Sequence, residues 1–287
     1  MIKLKELPQE ELVYGSLACP GCGGMLAARL ALKVLGRNTM LVIPACCVMA
    51  VSCFYPQLAF NVPYLVTAFP ATASTLSGVA AGLKRKGKTG INVLGIAGDG
   101  GTLDIGLQSL SGAVERGDKF IYICYDNEAY MNTGGQRSSG TPYGAKTTTT
   151  PPGKKGMWED RPKKDMLAIL AAHNIPYAAT ASVAYPTDYM EKVRKAAEAD
   201  GPAYIHVLAP CPPGWGADGS KTIEIGRLAV ECGLWVLAES EGGQTRITKK
   251  PGRRVPVAEY LKTQSRFKHL TPAEVEEIQR RVDEKWG

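Results

Sequence analysis

Ile91-Asn-Val-Leu-Gly-Ile-Ala-Gly-Asp-Gly-Gly101 decides the fold. Its first seven residues form an apolar run of strand length without alternation, and a strand that is apolar on both faces belongs to a parallel sheet covered by helices. Gly98-Asp99-Gly100 closes that run with a turn carrying one carboxylate, and the next apolar run, Phe120-Ile-Tyr-Ile-Cys-Tyr125, ends on Asp126-Asn127. Two strands that each end in a hard oxygen ligand suit a Mg²⁺ gripping a diphosphate, because Mg²⁺ wants octahedral oxygen coordination shared between one or two carboxylates and phosphate oxygens. Gly98, Gly100 and Gly101 are read as letting the backbone approach the phosphates. The carboxyl ends of parallel strands are also where open α/β sheets bind ligands. By itself a Gly-Asp-Gly turn is more often just a tight loop.

The cysteines add a second constellation. Cys19-Pro-Gly-Cys22, the Cys46-Cys47 pair after the run Met40 to Pro44, and Cys211-Pro-Pro-Gly after the run Ala203 to Leu208 all stand at turns or strand ends. Sulfurs there are free to point at one centre. Four thiolates hold either a structural zinc or an iron–sulfur cluster, and the spacing does not separate the two. The bland reading of Cys46, Cys53, Cys124 and Cys232 is that of small buried hydrophobes, which we take for the last three. Eight cysteines in 287 residues without a secretory leader point to a reducing cytoplasm, where thiolates bind metal instead of pairing.

Around these motifs, apolar runs alternate with helical periodicity. The expected fold class is α/β, one domain over residues 1–287 with a mostly parallel sheet and helices on both faces. Helices are predicted over Gly24–Leu35, Ala73–Arg85, Leu103–Glu115, Lys164–His173, Thr187–Ala199, Ile223–Cys232 and Ala273–Lys285. The last opens on Thr271-Pro-Ala-Glu274, a capping box with Pro in its first turn. The stretch Tyr130 to Trp158 is too long and too rich in Gly, Thr, Pro and Ser for an ordinary connection, and its place directly after the metal-binding turn favours function. No apolar run reaches the length of a membrane span. The net charge of +7 is scattered over Lys84-Arg-Lys, Lys154-Lys, Lys163-Lys, Lys249-Lys and Arg253-Arg, without interleaved aromatics. Nucleic acid is therefore not an expected partner. A solvated face is the plain account of these charges, and a surface that attracts an acidic electron carrier or partner subunit is the sharper one.

Together the two constellations resemble one family, the β or thiamine diphosphate (TPP)-binding subunits of the 2-oxoacid:ferredoxin oxidoreductases, and within it the pyruvate enzymes. The resemblance runs through Cys19-Pro-Gly-Cys-Gly23, Ala97-Gly-Asp-Gly-Gly-Thr-Leu-Asp-Ile-Gly-Leu-Gln108 and Ile123-Cys-Tyr-Asp-Asn-Glu-Ala-Tyr-Met-Asn-Thr-Gly-Gly-Gln-Arg137. It continues through Thr141-Pro-Tyr-Gly144, Ala209-Pro-Cys-Pro-Pro-Gly-Trp215 and Glu259-Tyr-Leu-Lys-Thr-Gln-Ser-Arg-Phe267. It implies TPP on the turn from Gly98 to Gly101 and on Asn127, Ala129, Asn132 and Thr133, with Mg²⁺ held by Asp99, the Asn127 side chain and the Ala129 carbonyl. Asn132 is the implied catalytic residue, placed to hydrogen-bond the substrate; apart from the family it reads as a turn residue. One 4Fe-4S cluster is implied on Cys19, Cys22, Cys47 and Cys211. The implied reaction is oxidative decarboxylation of a 2-oxoacid, pyruvate first, to acyl-coenzyme A and CO₂, with electrons passed singly to the cluster and on to ferredoxin.

One absence and two departures bear on partners. No Glu occurs between Glu11 and Glu115, so the glutamate that activates the pyrimidine ring of TPP is expected from an α subunit, with Glu128 the one internal candidate. The C-x₂-C-x₂-C-x₃-C run of two-cluster ferredoxins is also missing, which calls for a ferredoxin-like subunit as relay. Pro44-Ala-Cys-Cys47 stands where the family more often has a single cysteine, so Cys46 competes with Cys47; Phe69-Pro-Ala-Thr-Ala73 replaces a segment that usually carries Glu and Asn. Oxalate, branched-chain or aryl 2-oxoacids are the alternative substrates. A non-oxidative TPP decarboxylase or synthase would leave the cysteines without use, and a zinc-stabilised structural subunit would leave Asp99 and Asn127 without use.

Overall fold

The computed structural model describes residues 11–153, 158–252 and 254–287. Lys154, Lys155 and Arg253, read above among the basic pairs, lie outside the described residues, as do residues 1–10 of the expected domain. The chain runs α1 (Gly23–Leu35), β1 (Thr39–Pro44), α2 (Cys47–Ser52), β2 (Cys53–Phe54), β3 (Gln57–Leu58), β4 (Tyr64–Thr67), α3 (Thr72–Arg85), β5 (Asn92–Gly98), α4 (Leu107–Arg116) and β6 (Ile121–Asp126). It continues with α5 (Met166–Ala172), β7 (Tyr177–Ser182), α6 (Pro186–Glu198), β8 (Ala203–Leu208), α7 (Pro212–Trp215), α8 (Thr222–Glu231), β9 (Leu237–Glu241), β10 (Gln244–Lys249), α9 (Val257–Leu261) and α10 (Pro272–Trp286).

Eight strands form one sheet in the order β10-β9-β7-β8-β6-β5-β1-β4, while β2 and β3 make a separate hairpin. The pairs from β7 across to β4 are parallel, and β9 and β10 are antiparallel additions at one edge. Strands β6 and β8 are buried at every position, as expected where helices cover both faces. One apolar cluster joins α1 and α6 to one face, including Leu32, Ile96, Ile123 and Val193; a second, with Leu76, Leu110, Tyr122 and Leu170, joins α3, α4 and α5 to the other. The order places a switch point beside β1: the chain leaves it to one side for β4 and returns through α3 to β5 on its other side. Ligand crevices form at such points, at the carboxyl ends of the strands.

Most predicted helices stand within one or two residues, and the capping box is present, with the Thr271 hydroxyl accepting from Glu274 N and the Glu274 carboxylate accepting from Thr271 N. One differs for a structural reason. The helix expected from Leu103 starts at Leu107, because Gly100–Asp104 forms a wide π-type turn that carries the chain away from Asp99 before α4 begins. Cys124 and Cys232 are buried as expected, but Cys53, at the base of the hairpin, is only half-buried. No described helix is long and apolar enough to cross a membrane.

Candidate active site

Four neighbouring strands, β8, β6, β5 and β1, end side by side, and each is followed by a residue that the sequence singled out: Cys211, Asn127, Asp99 and Cys47. Neighbouring strands lie about 4.8 Å apart, so the sheet itself lines these groups along one rim. The Cys19–Cys22 loop joins them because Gly23 N donates to the Pro210 carbonyl at 3.1 Å, seating the start of α1 against the end of β8.

Asp99 is fully buried, and its Oδ2 accepts from the Ser138 hydroxyl. Burial, and then the charge of nearby Asp126, pushes its carboxyl well above the usual range. The Asn127 side-chain oxygen lies 2.9 Å from Asp99 Oδ1 and 3.0 Å from the Ala129 carbonyl oxygen. Turned over, the amide would donate to both. With the amide oxygen inward instead, the three oxygens stand at the spacing of neighbouring ligands in an octahedral Mg²⁺ shell, about 2.9 Å for ligands at about 2.0–2.1 Å. Those three oxygens thus fit one side of a Mg²⁺ shell.

The turn is buttressed by groups that sequence reasoning passed over. Gly140 sits between two carboxylates: a Cβ there would lie 2.9 Å from Asp126 Oδ1 and 3.0 Å from Asp99 Oδ2. Ser139 bonds through both N–H and hydroxyl to Asp104, which pins the loop after Asn132 back onto the turn. Asp126, also fully buried, accepts from Glu128 N at 2.9 Å, lies 2.7 Å from Lys163 Nζ and has His206 Nε2 at 2.9 Å. Burial alone would raise its carboxyl; the Lys163 ammonium and the His206 ring outweigh that and hold it at about 2. The first part of the stretch from Tyr130 is therefore a folded strap over the Asp99 turn.

Gly100 and Gly101 do something other than expected. A Cβ on Gly100 would meet the Tyr130 ring at 2.7 Å, and one on Gly101 the Phe69 ring at 2.8 Å. These glycines make room for two rings packed edge to face with centroids 5.7 Å apart, and the Tyr130 hydroxyl donates to the Gly100 carbonyl at 3.1 Å. Glu128 is no free acid either. Its carboxylate pairs with Lys163 at 2.7 Å and with Arg266, and the Arg266 guanidinium lies over the Trp215 ring. Trp215 in turn donates to the Asn127 carbonyl at 2.8 Å.

A cavity of about 630 Å³ is lined by Cys19, Cys22, Cys47 and Cys211 together with Asn127, Ala129 and Asn132. Gly98, Gly100, Asn127, Ala129, Asn132 and Thr133 line a narrow cleft beside it, which Cys46 and Cys47 both border. Asp99 and Gly101 lie beneath these walls, not on them. Burial first, then the neighbouring sulfurs, pushes Cys47 up to about 12, and burial is the main cause that takes Cys211 to about 11 and raises Cys22. Among the described residues no three His, Cys, Asp or Glu stand close enough to hold a single metal ion. Thiolates that share a cavity are a donor set for zinc or for an iron–sulfur cluster. Cys46 is buried against the Tyr125 hydroxyl and does not line the large cavity. Asn132 is exposed at the rim of both spaces, whereas the Thr133 hydroxyl is bonded to Gln136 at 2.6 Å and serves the turn.

Residues 45–207 match the family described as thiamine pyrophosphate enzyme, C-terminal TPP binding domain. Pyruvate synthase subunit PorB of Methanothermobacter thermautotrophicus is 57% identical over 279 residues, covering 97% of this chain and 97% of its own. The chain belongs to the β subunits of the 2-oxoacid:ferredoxin oxidoreductases. Ketoisovalerate oxidoreductase subunit VorB of Pyrococcus horikoshii is 50% identical over 285 residues, 97% of this chain and 92% of its own. Among solved structures, the 2-oxoglutarate:ferredoxin oxidoreductase from Magnetococcus marinus superposes on this β subunit with a TM-score of 0.59, covering 77% of this chain and 82% of that one at 19% identity. That likeness shows the fold. The matched segment holds Asp99 and Asn127 but not Cys19, Cys22 or Cys211.

Proposed function

We propose that this β subunit oxidatively decarboxylates a 2-oxoacid, pyruvate first, to acyl-coenzyme A and CO₂ within a hetero-oligomer that passes electrons to ferredoxin. The carrying observation is that four cysteines line one cavity together with Asn127 and Ala129, whose oxygens stand beside the buried Asp99. When bound, TPP supplies the carbanion chemistry, Mg²⁺ its anchorage and a 4Fe-4S cluster a one-electron acceptor beside it.

The chain's own residues divide the work. Asp99 and the Asn127 and Ala129 oxygens would hold Mg²⁺; Cys19, Cys22, Cys47 and Cys211 would hold the cluster. Asn132, exposed where the two spaces join, is set to donate an amide hydrogen bond to the substrate. The Ser138–Gly140 strap and the Phe69 and Tyr130 rings keep water from the metal turn. With Glu128 ion-paired twice, no carboxylate of the turn is left to activate the cofactor, which supports an acid arriving from an α subunit. A ferredoxin-like subunit is the relay, and coenzyme A the acyl acceptor. Relatives named for pyruvate and for ketoisovalerate support the 2-oxoacid class and rank pyruvate first by identity.

The test is thiazolium C2 hydrogen–deuterium exchange with TPP and Mg²⁺ present. The isolated chain should exchange slowly and the assembled complex rapidly, and the complex should reduce ferredoxin with pyruvate faster than with 2-oxoisovalerate. Rapid exchange by the isolated chain, abolished in Glu128→Gln, contradicts the shared site.

A further inference from the structure

The 45 residues from Thr39 to Leu83 contain no Asp, Glu, Lys, Arg or His, in a chain that is 21% charged. Burial accounts for β1, for one face of α3 and for Cys46, Val48, Ser52, Ala59, Phe60 and Val62, but not for the exposed residues of the β2–β3 hairpin and β4. The same segment carries the β2–β3 hairpin and β4, which is an edge strand of the sheet. Tyr55 is 89% exposed, Phe54 57%, Val66 50% and Leu65 41%. Consecutive strand residues point to opposite faces, so exposure of both Leu65 and Val66 leaves the edge open on both sides. Exposed edges are ordinarily guarded by charged side chains, and this one has none. Loss of charge with enrichment in aromatic side chains is the composition of an interface centre.

The position of this face says what covers it. Thr67 at the end of β4 pairs with Pro44, next to the cysteine pair, and the chain runs on to Phe69, whose ring packs with Tyr130 over the glycines of the metal turn. A protein seated on this edge therefore borders the cofactor cleft. A second copy meeting it through the same face would bring residues 39–83, which contain no carboxylate. We infer that the uncharged edge formed by the hairpin and β4 docks the separate subunit that brings the activating acid, an inference that rests on the shared-site reading above.

The test compares the full chain alone with the assembled complex. Amides of residues 53–67 should exchange with deuterium more slowly in the complex. Tyr55→Glu and Val66→Lys, both at exposed positions, should keep the thermal midpoint of the isolated chain yet assemble at least about 10-fold more weakly by sedimentation, because each buries an unpaired charge. Lys86→Glu, at the other end of the sheet, should assemble normally. Normal assembly of both edge variants with unchanged amide exchange overturns the inference. So does loss of self-association by the isolated chain with the mixed complex intact, which would assign the face to a second copy. Failure of the shared-site reading is seen separately, as rapid C2 exchange by the isolated wild-type chain.

Discussion

Asp99 and Cys47 follow neighbouring strands, yet their surroundings are built in opposite ways. The carboxylate turn is closed by its own chain: Ser138 on Asp99, Ser139 on Asp104, Lys163 and His206 on Asp126. The cysteines come from three separate segments and line an open cavity. The turn is thus organised before any ligand arrives, while the Cys47 and Cys211 thiols, pushed up by burial first and then by neighbouring sulfurs, gain their order from what they bind. Substitutions in the two regions should accordingly fail in different ways.

The sharpest contrast is Cys47→Ser, which should lose nearly all cluster iron while Mg²⁺-dependent TPP binding persists; iron analysis and TPP titration on one preparation check both halves. Asp99→Asn should do the reverse, weakening TPP binding at fixed Mg²⁺ by at least about 100-fold with iron retained, since a direct ligand matters more than the supporting groups whose loss costs 10–100-fold. Unchanged TPP affinity would remove Asp99 from the metal site. Gly140→Ala should cost about 10-fold in the same titration, because its methyl group must push apart two carboxylates that are both held in place. The smallest effect belongs to Cys46→Ala, which should keep its iron and lose about 1 kcal/mol of stability, as for a small buried side chain. Equal iron loss in the Cys46 and Cys47 variants would break the comparison.

What was legible in the sequence lay in short-range pattern. The ends of β5 and β6, the Cys19–Cys22 loop and the Thr271 capping box each follow from a few adjacent residues. What was not legible depends on contacts far apart in the chain. The Ser138 bond to Asp99 spans 39 positions and the Arg266 bond to Glu128 spans 138, and no local pattern encodes either. The glycines after Asp99 were read for phosphates, because nothing near them foretold the rings of Phe69 and Tyr130. The β9–β10 hairpin is also locally encoded, by Gly242-Gly243 between two strand-like runs. The basic run Lys84 to Lys88 is exposed at the amino end of β5, a strand of 7 residues whose other end meets the site. Roughly 23 Å of strand therefore separates it from the cysteines, which favours a solvated face over a landing place for an electron carrier at the cluster.

The central claim is that one chain unites a TPP–Mg²⁺ turn with an iron–sulfur site, and its most direct test is the metal content and visible spectrum of anaerobically purified protein. About four iron per chain with broad visible absorbance that dithionite bleaches is the predicted result. Colourless protein with one equivalent of zinc in place of iron would contradict it.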